Sequence, residues 1–411
     1  MTGRLRWQLS AMMFLQYAVW GAWAPVISVH FQNLGIIGIP LGYIFGTMAL
    51  AAMLTPFIAG QIADRYFATQ RFLAFCHIVG GLLLIIAATR TTFPILYALM
   101  LGNALLYAPT LALTNSLAFH HLPDAQKNFP SIRIWGTISW VAVGWLFGLW
   151  LGNAAVHWSW VNVGNSLVLG GGLGVVLGFF CLTLPHTPPA RQAKNPWAFL
   201  GALSLVRQRN FGVLFVVSFL VATELAFYYQ LTPIFFKDKA GLGLPEAWVG
   251  PVMTIGQMAE ALVMLALPFS LKRFGMRTTI GIGIATWPVR YLIFAIGHPT
   301  PLVIAAQSLH GVCYAFFFVA GQVYANEVAQ GDIRASAQSL LLFVTQGAGM
   351  FLGSIFAGWA QAFFHGDFHK IFLVPVAITG VCCVAFLIGF SERVRLAQLA
   401  AQQQSAPAGR A

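Results

Sequence analysis

Residues 185–210, PHTPPARQAKNPWAFLGALSLVRQRN, form the longest polar interruption in an otherwise apolar chain. The segment contains four prolines and four Lys or Arg residues, together with an amphipathic stretch, WAFLGALSLV, at 197–206. Prolines and charged side chains at this density oppose a membrane-spanning helix, because they remove backbone hydrogen bonds and dissolve poorly in lipid. Six long apolar runs precede the segment and six follow it, so it predicts a linker between two halves.

The composition places the whole chain in a membrane. Of its 411 residues, 59% are hydrophobic and only 8% are charged, which excludes an ordinary soluble domain. A helix needs roughly 20 apolar residues to cross the hydrocarbon core. Apolar runs of suitable length lie at 8–29, 40–63, 72–89, 93–118, 131–151, 162–184, 211–235, 248–270, 278–297, 301–326, 335–361 and 371–391. We therefore expect an all-α integral membrane protein with twelve transmembrane helices.

Two pairs of similar segments suggest that the halves are copies of one six-helix unit. SIRIWGTISW opens the fifth run and DIRASAQSLL opens the eleventh, with Arg133 and Arg334 separated by 201 residues. Arg65 and Arg273 lie in basic turns after the second and eighth runs, 208 residues apart. Such nearly equal offsets indicate duplication, which is the usual construction of secondary transporters.

The distribution of charge predicts the orientation. Of the 22 Lys and Arg residues, 17 fall on the side of the amino terminus, four fall on the opposite side, and Arg290 lies within a run. Basic residues concentrate in cytoplasmic loops, so both termini are predicted to be cytoplasmic. The positive charge therefore indicates topology and contact with the lipid bilayer rather than a nucleic-acid partner. The predicted domains are an N-terminal half at 1–184, a cytoplasmic linker at 185–210, a C-terminal half at 211–391 and a disordered cytoplasmic tail at 392–411.

No motif indicates an enzyme or an ATP-driven pump. The sequence has no nucleotide-binding loop of the GxxxxGK[ST] type, and its five cysteines fall inside apolar runs without metal-ligand spacing. We expect no cofactor and no metal, with a proton gradient as the energy source. Two other classes stay open: an intramembrane enzyme built on His120, His121 and Asp124, and a sensor that binds a solute without moving it.

A single carboxylate, Glu260, lies in the middle of the apolar stretch TIGQMAEALVMLALPF at 254–269. An ionisable group at this depth is expensive in lipid and normally faces a cavity or a partner. Because a neutral carboxyl is far less costly there than a carboxylate, Glu260 is a candidate carrier of a coupled proton. Two alternatives remain, a static buried pair between Glu260 and Arg290, and Glu224 as the proton carrier.

Several segments carry a family resemblance. The turn GQIADRYFATQR at 60–71 resembles the loop between helices two and three of the major facilitator superfamily. Six further segments resemble its nucleoside:proton symporters, the nucleoside permeases of bacterial inner membranes. These segments are FLQYAVWGAW (14–23), NALLYAPTLALTNS (103–116), FPSIRIWGTISW (129–140), LTLPHTP (182–188), GQMAEALVMLALPF (256–269) and IRASAQS (333–339). The resemblance implies the major facilitator fold, with two pseudo-symmetric six-helix halves around a central cavity, and proton-driven uptake of nucleosides.

The resemblance also implies residues for a solute site. Arg133, Thr137 and Trp140 match the cavity face of the family's fifth helix, and their i, i+4, i+7 spacing directs them to one side. Gln257 and Glu260 match a polar pair on the eighth helix. Arg133 is equally consistent with an ordinary basic residue at the cytoplasmic start of a helix.

The sequence departs from the family at four positions. The family recognises the nucleoside with two side-chain amides on helix seven, where this chain has Ala226 and Tyr229. On helix ten, the family's Tyr and Phe become His310 and Tyr314. Loss of the amides removes donor–acceptor recognition of the base edge, so the transport mechanism is better supported than the solute.

The sequence as a whole predicts a monomeric, proton-coupled nucleoside transporter of the bacterial inner membrane. The candidate solute-binding residues are Arg133, Thr137, Trp140, Tyr229, Gln257, His310 and Tyr314. Arg133 is also a candidate partner of Glu260 in proton coupling, and Gln230 or Asn115 could replace the missing amides. The alternatives are a carrier for another neutral polar solute such as a sugar, and an uncoupled facilitator.

Overall fold

The computed structural model describes residues 2–58, 66–189, 197–329 and 333–405. Within these ranges the chain is helical and contains no strand. The helices are α1 Gly3–Gly21, α2 Ile27–Asn33, α3 Ile39–Ile58, α4 Thr69–Ala87, α5 Phe93–His121, α6 Ala125–His157, α7 Asn165–Cys181, α8 Arg209–Lys237, α9 Glu246–Ile296, α10 Thr300–Val328, α11 Ile333–Phe363, α12 Phe368–Gly389 and α13 Glu392–Ser405. A helix satisfies its backbone N–H and C=O groups internally, which an apolar segment in lipid requires.

Nine helices in the described ranges are long and apolar enough to cross a membrane. The longest, α9, contains a reversal at Gly275, whose φ of 79° is not helical. The hydroxyls of Ser270 and Thr279 lie 2.9 Å apart, although nine residues of straight helix span roughly 13 Å. Helix α9 therefore makes two passes. Together with α1 and α7, which pack inside the bundle, the described chain has the twelve passes that the sequence predicts.

The passes alternate in direction, so the first and last begin and end on one side. Gln8 at the start of α1 donates a hydrogen bond of 2.7 Å to the carbonyl of Thr183, just after α7. Asn210 at the start of α8 exchanges two 2.9 Å hydrogen bonds with Ser391, just after α12. We call this side the proximal end and the opposite side the distal end.

The most extensive contacts between the two sets of six passes are two crossings, α3 with α11 and α6 with α9. A Cβ atom at Gly358 of α11 would lie 2.3 Å from the carbonyl oxygen of Gly38, just before α3. A Cβ atom at Gly148 of α6 would lie 2.4 Å from the carbonyl oxygen of Ala247 in α9. Both contacts lie toward the distal end, so glycine lets the halves close tightly there.

A polar cluster, which we call the distal latch, joins the halves at the same end. Asn33, at the end of α2, donates to the Glu246 carboxylate at 2.9 Å and accepts from Lys237 at 2.8 Å. Gln32 donates to Asp238 at 3.1 Å, and Lys237 lies 3.7 Å from Glu246. The latch therefore connects the first half to the end of α8 and the start of α9.

The chain after 391 differs from the prediction. The sequence predicts a disordered tail from 392, whereas the structure has a helix, α13, over Glu392–Ser405. Arg395 binds Glu327 of α10 at 2.7 Å and also pairs with Glu392, so ion pairs hold the helix against the proximal end. Residues 406–411 lie outside the described part of the chain.

The linker and the first basic turn are described only in part. Ala198–Arg207 form a 3₁₀ helix, in which Phe199 stacks on Phe343 of α11 with ring centroids 4.8 Å apart. Residues 190–196 and 59–65, including the first half of the basic turn at 60–71, lie outside the described ranges. The division of the chain at 185–210 stays a prediction.

Candidate functional site

A cavity of about 650 Å³ lies between the two halves and extends toward the proximal end, where Phe129 and Pro130 occupy the first turns of α6. We call it the proximal cavity. Its wall comes from α1, α6, α8, α9 and α10 and comprises Tyr17, Trp20, Phe129, Pro130, Arg133, Ile134, Gly136, Thr137, Trp140, Tyr229, Gln257, Glu260, Ala261, Met264, Leu265 and Tyr314. A site built from both halves must change shape when the halves move relative to each other.

The first half contributes a face that is charged toward the proximal end and aromatic further in. Arg133, Thr137 and Trp140 of α6 all line the cavity, as their helical spacing predicts. The Arg133 guanidinium carbon lies 4.0 Å from the ring centroid of Tyr17 in α1, a cation–π contact that orients the side chain. Trp140 meets Trp20 edge to face, with centroids 5.3 Å apart. This face offers one fixed cation and a flat aromatic surface.

The second half contributes the acid, the amide and two phenols. Gln257 and Glu260 lie about one turn apart on α9, while Tyr229 comes from α8 and Tyr314 from α10. Tyr314 begins a π-helical segment, Tyr314–Val319, and such segments occur often at functional sites. The oxygen of the Gln257 amide is buried and has no hydrogen-bond partner in the described chain.

Arg133 and Glu260 line the proximal cavity from opposite halves. No salt bridge joins Arg133 and Glu260 in the described part of the chain, so the two face each other across the cavity without direct contact. The alternative of a buried pair between Glu260 and Arg290 is wrong. Arg290 lies fully buried, donates to His310 at 3.0 Å and sits over the Tyr228 ring at 4.4 Å.

Two other predicted site residues lie away from the cavity. His310 is fully buried behind the wall, where its ring stacks on Tyr228 with centroids 4.6 Å apart. Glu224 is fully buried in α8, and one of its oxygens accepts a hydrogen bond of 3.0 Å from Thr223. Neither His310 nor Glu224 lines the proximal cavity, although seven of the nine predicted residues do.

The amides considered as replacements on the sequence also lie elsewhere. Gln230 is fully buried, and neither polar atom of its side chain has a partner in the described chain. Asn115 likewise has a buried oxygen without a partner there. Among described residues, Gln257 is the side-chain amide that lines the proximal cavity.

Residues 3–395 match the family described as "Nucleoside H+ symporter". The chain belongs to this family. The putative nucleoside transporter YegT of Escherichia coli is 38% identical over 362 residues, covering 84% of this chain and 82% of YegT. The nucleoside permease NupG of Escherichia coli is 31% identical over 415 residues, covering 95% and 96% of the two chains. The resemblance that the sequence motifs carry is thereby confirmed.

The fold comparison agrees with this membership. The crystal structure of the nucleoside transporter NupG superposes with a TM-score of 0.84 at 30% identity, covering 93% of this chain and 98% of that structure. A D-xylose-proton symporter superposes with a TM-score of 0.69 at 13% identity, which shows a shared fold only. The predicted major facilitator fold is confirmed.

As a member of this family, the chain is a multi-pass membrane transporter and not an enzyme. Asp124 and His121, two of the residues considered for an intramembrane enzyme, have structural partners instead. Asp124 caps α6 by accepting from the backbone N–H of Lys127 at 3.1 Å, and His121 lies 2.8 Å from the Thr187 hydroxyl. No group of three or more His, Cys, Asp or Glu side chains that could hold a metal exists in the described chain.

A second cavity of about 350 Å³ lies toward the distal side of the first, and we call it the distal cavity. Trp20, Trp140, Tyr229 and Gln257 line both cavities and therefore form a shared wall between them. Trp20 and Tyr17 were not singled out as site residues on the sequence. Their signal was present in the motif FLQYAVWGAW, where they are three residues apart and so lie on one side of α1.

Proposed function

We propose that this protein carries nucleosides into the bacterial cell together with protons, across the inner membrane. One observation carries this proposal: a cavity between the halves combines an arginine, a carboxylic acid, an amide and aromatic rings in a nucleoside H+ symporter family member. A nucleoside presents a flat base and a ribose with several hydroxyls. Aromatic side chains suit the base, and the polar side chains suit the ribose.

Each wall residue has a role in this proposal. Arg133 and Thr137 bind hydroxyls or carbonyls of the solute, because both lie on the polar part of the α6 face. Trp140 and Tyr314 stack against flat parts of the solute from opposite halves. Gln257 orients the solute through its side-chain amide, which belongs to the cavity wall.

Glu260 is the proton carrier in this proposal. It lines the cavity opposite Arg133, so water can reach it whenever the cavity is open. When the halves close and exclude water, a neutral carboxyl costs far less than a carboxylate. Protonation therefore permits the closed, loaded state, and release of the proton resets the carrier.

The orientation and assembly belong to the same proposal. The 17 to 4 distribution of basic residues favours cytoplasmic termini, so the proximal cavity opens to the cytoplasm. A monomer suffices, because the cavity and the distal latch are formed within one chain. The proton gradient supplies the energy, and the proposal includes no cofactor.

The test is uptake by liposomes that contain the purified protein. We expect labelled uridine or inosine to accumulate above its outside concentration when the outside is made acidic, and a protonophore to abolish the accumulation. Excess unlabelled nucleoside should compete, whereas glucose and xylose should not. Absence of nucleoside uptake under any gradient would overturn the proposal, and preferential competition by a sugar would favour the sugar-carrier alternative.

A further inference from the structure

We propose that the 3₁₀ helix Ala198–Arg207, which we call the linker helix, lies in the headgroup layer of the membrane at the proximal end and binds anionic phospholipids. The sequence predicts that 185–210 are a cytoplasmic linker, which would leave this helix in water. Its side chains instead form a surface that fits lipid. Lipid binding at this surface is independent of the solute that the protein carries.

The linker helix has three faces, because side chains three residues apart eclipse each other in a 3₁₀ helix. The N–H of Leu200 donates to the carbonyl of Trp197 at 2.9 Å, which extends this spacing to Trp197. One face packs on the protein and consists of Phe199, Ala202 and Leu205. A second face, the apolar stripe, is 42–54% exposed and consists of Trp197, Leu200 and Leu203. The third face is exposed and small or polar, and it consists of Gly201, Ser204 and Arg207.

The packed face fixes the orientation of the linker helix. Ala202 is fully buried, and Leu205 is only 6% exposed. Phe199 stacks on Phe343 of α11 with an interplanar angle of 16°. Because these side chains hold one face against the protein, the apolar stripe, about 120° away around the helix, stays exposed. A row of three large exposed apolar side chains marks a surface that contacts lipid or another molecule.

The junction with α8 fixes the depth of the linker helix. Only Gln208, in an extended conformation with ψ of 127°, separates it from α8, which begins at Arg209. A Cβ atom at Gly212 would lie 2.4 Å from the carbonyl oxygen of Val206, so the linker helix folds closely onto the first turn of α8. Arg209 donates through Nε to the carbonyl of Gly389 at 3.0 Å, where α12 ends. One membrane pass therefore begins and another ends beside the linker helix, at the level of the headgroup layer.

The charges of this segment complement an anionic surface. Residues 197–210 contain two arginines, Arg207 and Arg209, and no Asp or Glu. Arg207 is exposed, and no salt bridge joins it to a carboxylate within the described ranges. Indole rings favour the headgroup layer, and basic side chains near the surface attract anionic lipid. Charge and depth together assign the apolar stripe to lipid rather than to a protein partner.

The first test measures the surroundings of single spin labels on the full-length protein in a Cys383→Ser background, since the other four cysteines are buried. Leu200→Cys and Leu203→Cys place labels on the apolar stripe. Gly201→Cys and Ser204→Cys are matched controls one residue away, and a Cβ atom at Gly201 would meet no described atom within 4 Å. The vesicles consist of phosphatidylethanolamine and phosphatidylglycerol.

We expect labels on the stripe to collide about fivefold less with a water-soluble nickel chelate than the control labels do, and more often with oxygen, which concentrates in lipid. The headgroup layer contains water, so water-soluble reagents reach the stripe more slowly but are not excluded. Equal contact with nickel at all four positions would mean that the stripe faces water. Protection of the stripe from both nickel and oxygen would mean that protein covers it. Either result would overturn the proposal.

The second test concerns the anionic headgroups. In the same vesicles, Arg207→Gln should increase the water-exposed fraction of the label at Leu203→Cys about fivefold, which corresponds to the roughly 1 kcal/mol that one basic residue contributes at an anionic surface. Arg393→Gln removes an exposed arginine of α13 at the same end and should leave this fraction unchanged. In neutral phosphatidylcholine vesicles, Arg207→Gln should match the wild type. An unchanged fraction in Arg207→Gln, or an equal increase in Arg393→Gln, would overturn the assignment to anionic lipid.

Discussion

Glu260 and Glu224 are the same chemical group in two different surroundings. Glu260 lines the proximal cavity opposite Arg133. Glu224 is fully buried, with one oxygen bound by Thr223 and the other without a partner in the described chain. A carboxyl that loads and releases a proton in each cycle needs contact with water, which only the cavity provides. This difference assigns proton coupling to Glu260 within our proposal.

The first prediction is therefore that Glu260→Gln separates driven uptake from exchange. The amide keeps the size of a protonated carboxyl but cannot release a proton. Liposomes that contain the variant should lose accumulation driven by a pH gradient and should retain counterflow of labelled solute into preloaded vesicles. The matched change Glu224→Gln should leave accumulation within about twofold of wild type, because Glu224 does not line the proximal cavity. If Glu260→Gln accumulates solute against a gradient as wild type does, another residue carries the proton, and Glu224 is the next residue to test.

The second prediction concerns Arg133. Removing a charge-assisted hydrogen bond costs about 1.5–3 kcal/mol, so Arg133→Ala should weaken solute binding roughly ten- to hundredfold. Accumulation and counterflow should fall together, unlike in Glu260→Gln, because both need the loaded state. Arg133→Lys keeps the charge but loses the planar fork, and it should recover only part of the affinity. Equal affinity in a binding titration of Arg133→Ala and wild type would exclude direct contact with the solute.

The third prediction concerns the close crossing of helices α6 and α9. Gly148 lies so near Ala247 that an added Cβ must push the helices apart. Overpacking of this kind costs about 1–3 kcal/mol, and here it penalises only states with a closed distal end. Gly148→Ala should therefore favour the state that is open at the distal end. Uptake should become slower, measured as the initial rate at saturating solute. Gly172→Ala is the control, because a Cβ atom at Gly172 would have no atom within 4 Å among its described surroundings.

The distal latch carries the fourth prediction. Asn33→Ala removes hydrogen bonds to Glu246 and Lys237, which are partly exposed and together contribute about 1 kcal/mol. The population open at the distal end should then rise roughly fivefold. A cysteine introduced at Ala24, in the distal cavity, should react correspondingly faster with a water-soluble maleimide. Asn162→Ala, at the same end, removes only contacts with the neighbouring residues Trp160 and Gly164 and should leave that rate unchanged.

The sequence predicts elements better than contacts between them. The passes follow from hydropathy alone, and the α6 face follows from the spacing of Arg133, Thr137 and Trp140. The pairing of Arg290 with His310 cannot be predicted from the sequence, because Glu260 lies at a similar depth and an arginine is expected to pair with a carboxylate. The distal latch is also invisible to the sequence, since Asn33 and Lys237 are 204 residues apart. Their contact depends on how the halves are packed.

At the scale of the whole molecule, the two cavities and the distal closure describe one state of a rocking carrier. Trp20, Trp140, Tyr229 and Gln257 separate a larger space on the proximal side from a smaller space on the distal side. The glycine contacts and the latch both hold the distal side shut. Rotation of one half against the other would open the distal cavity and close the proximal one. The residues of the shared wall would then meet the solute from either side.

The last prediction is the direction of this opening in the cell. The basic residues predict that the proximal end faces the cytoplasm. Leu203 at the proximal end and Lys239 at the distal end are both exposed, while four of the five native cysteines are buried. In intact spheroplasts, a membrane-impermeant maleimide should label Lys239→Cys but should reach Leu203→Cys only after permeabilisation. The unsubstituted protein measures the background from Cys383, which is partly buried. Labelling of Leu203→Cys from outside would reverse the topology, and the proximal cavity would then load solute from the periplasm.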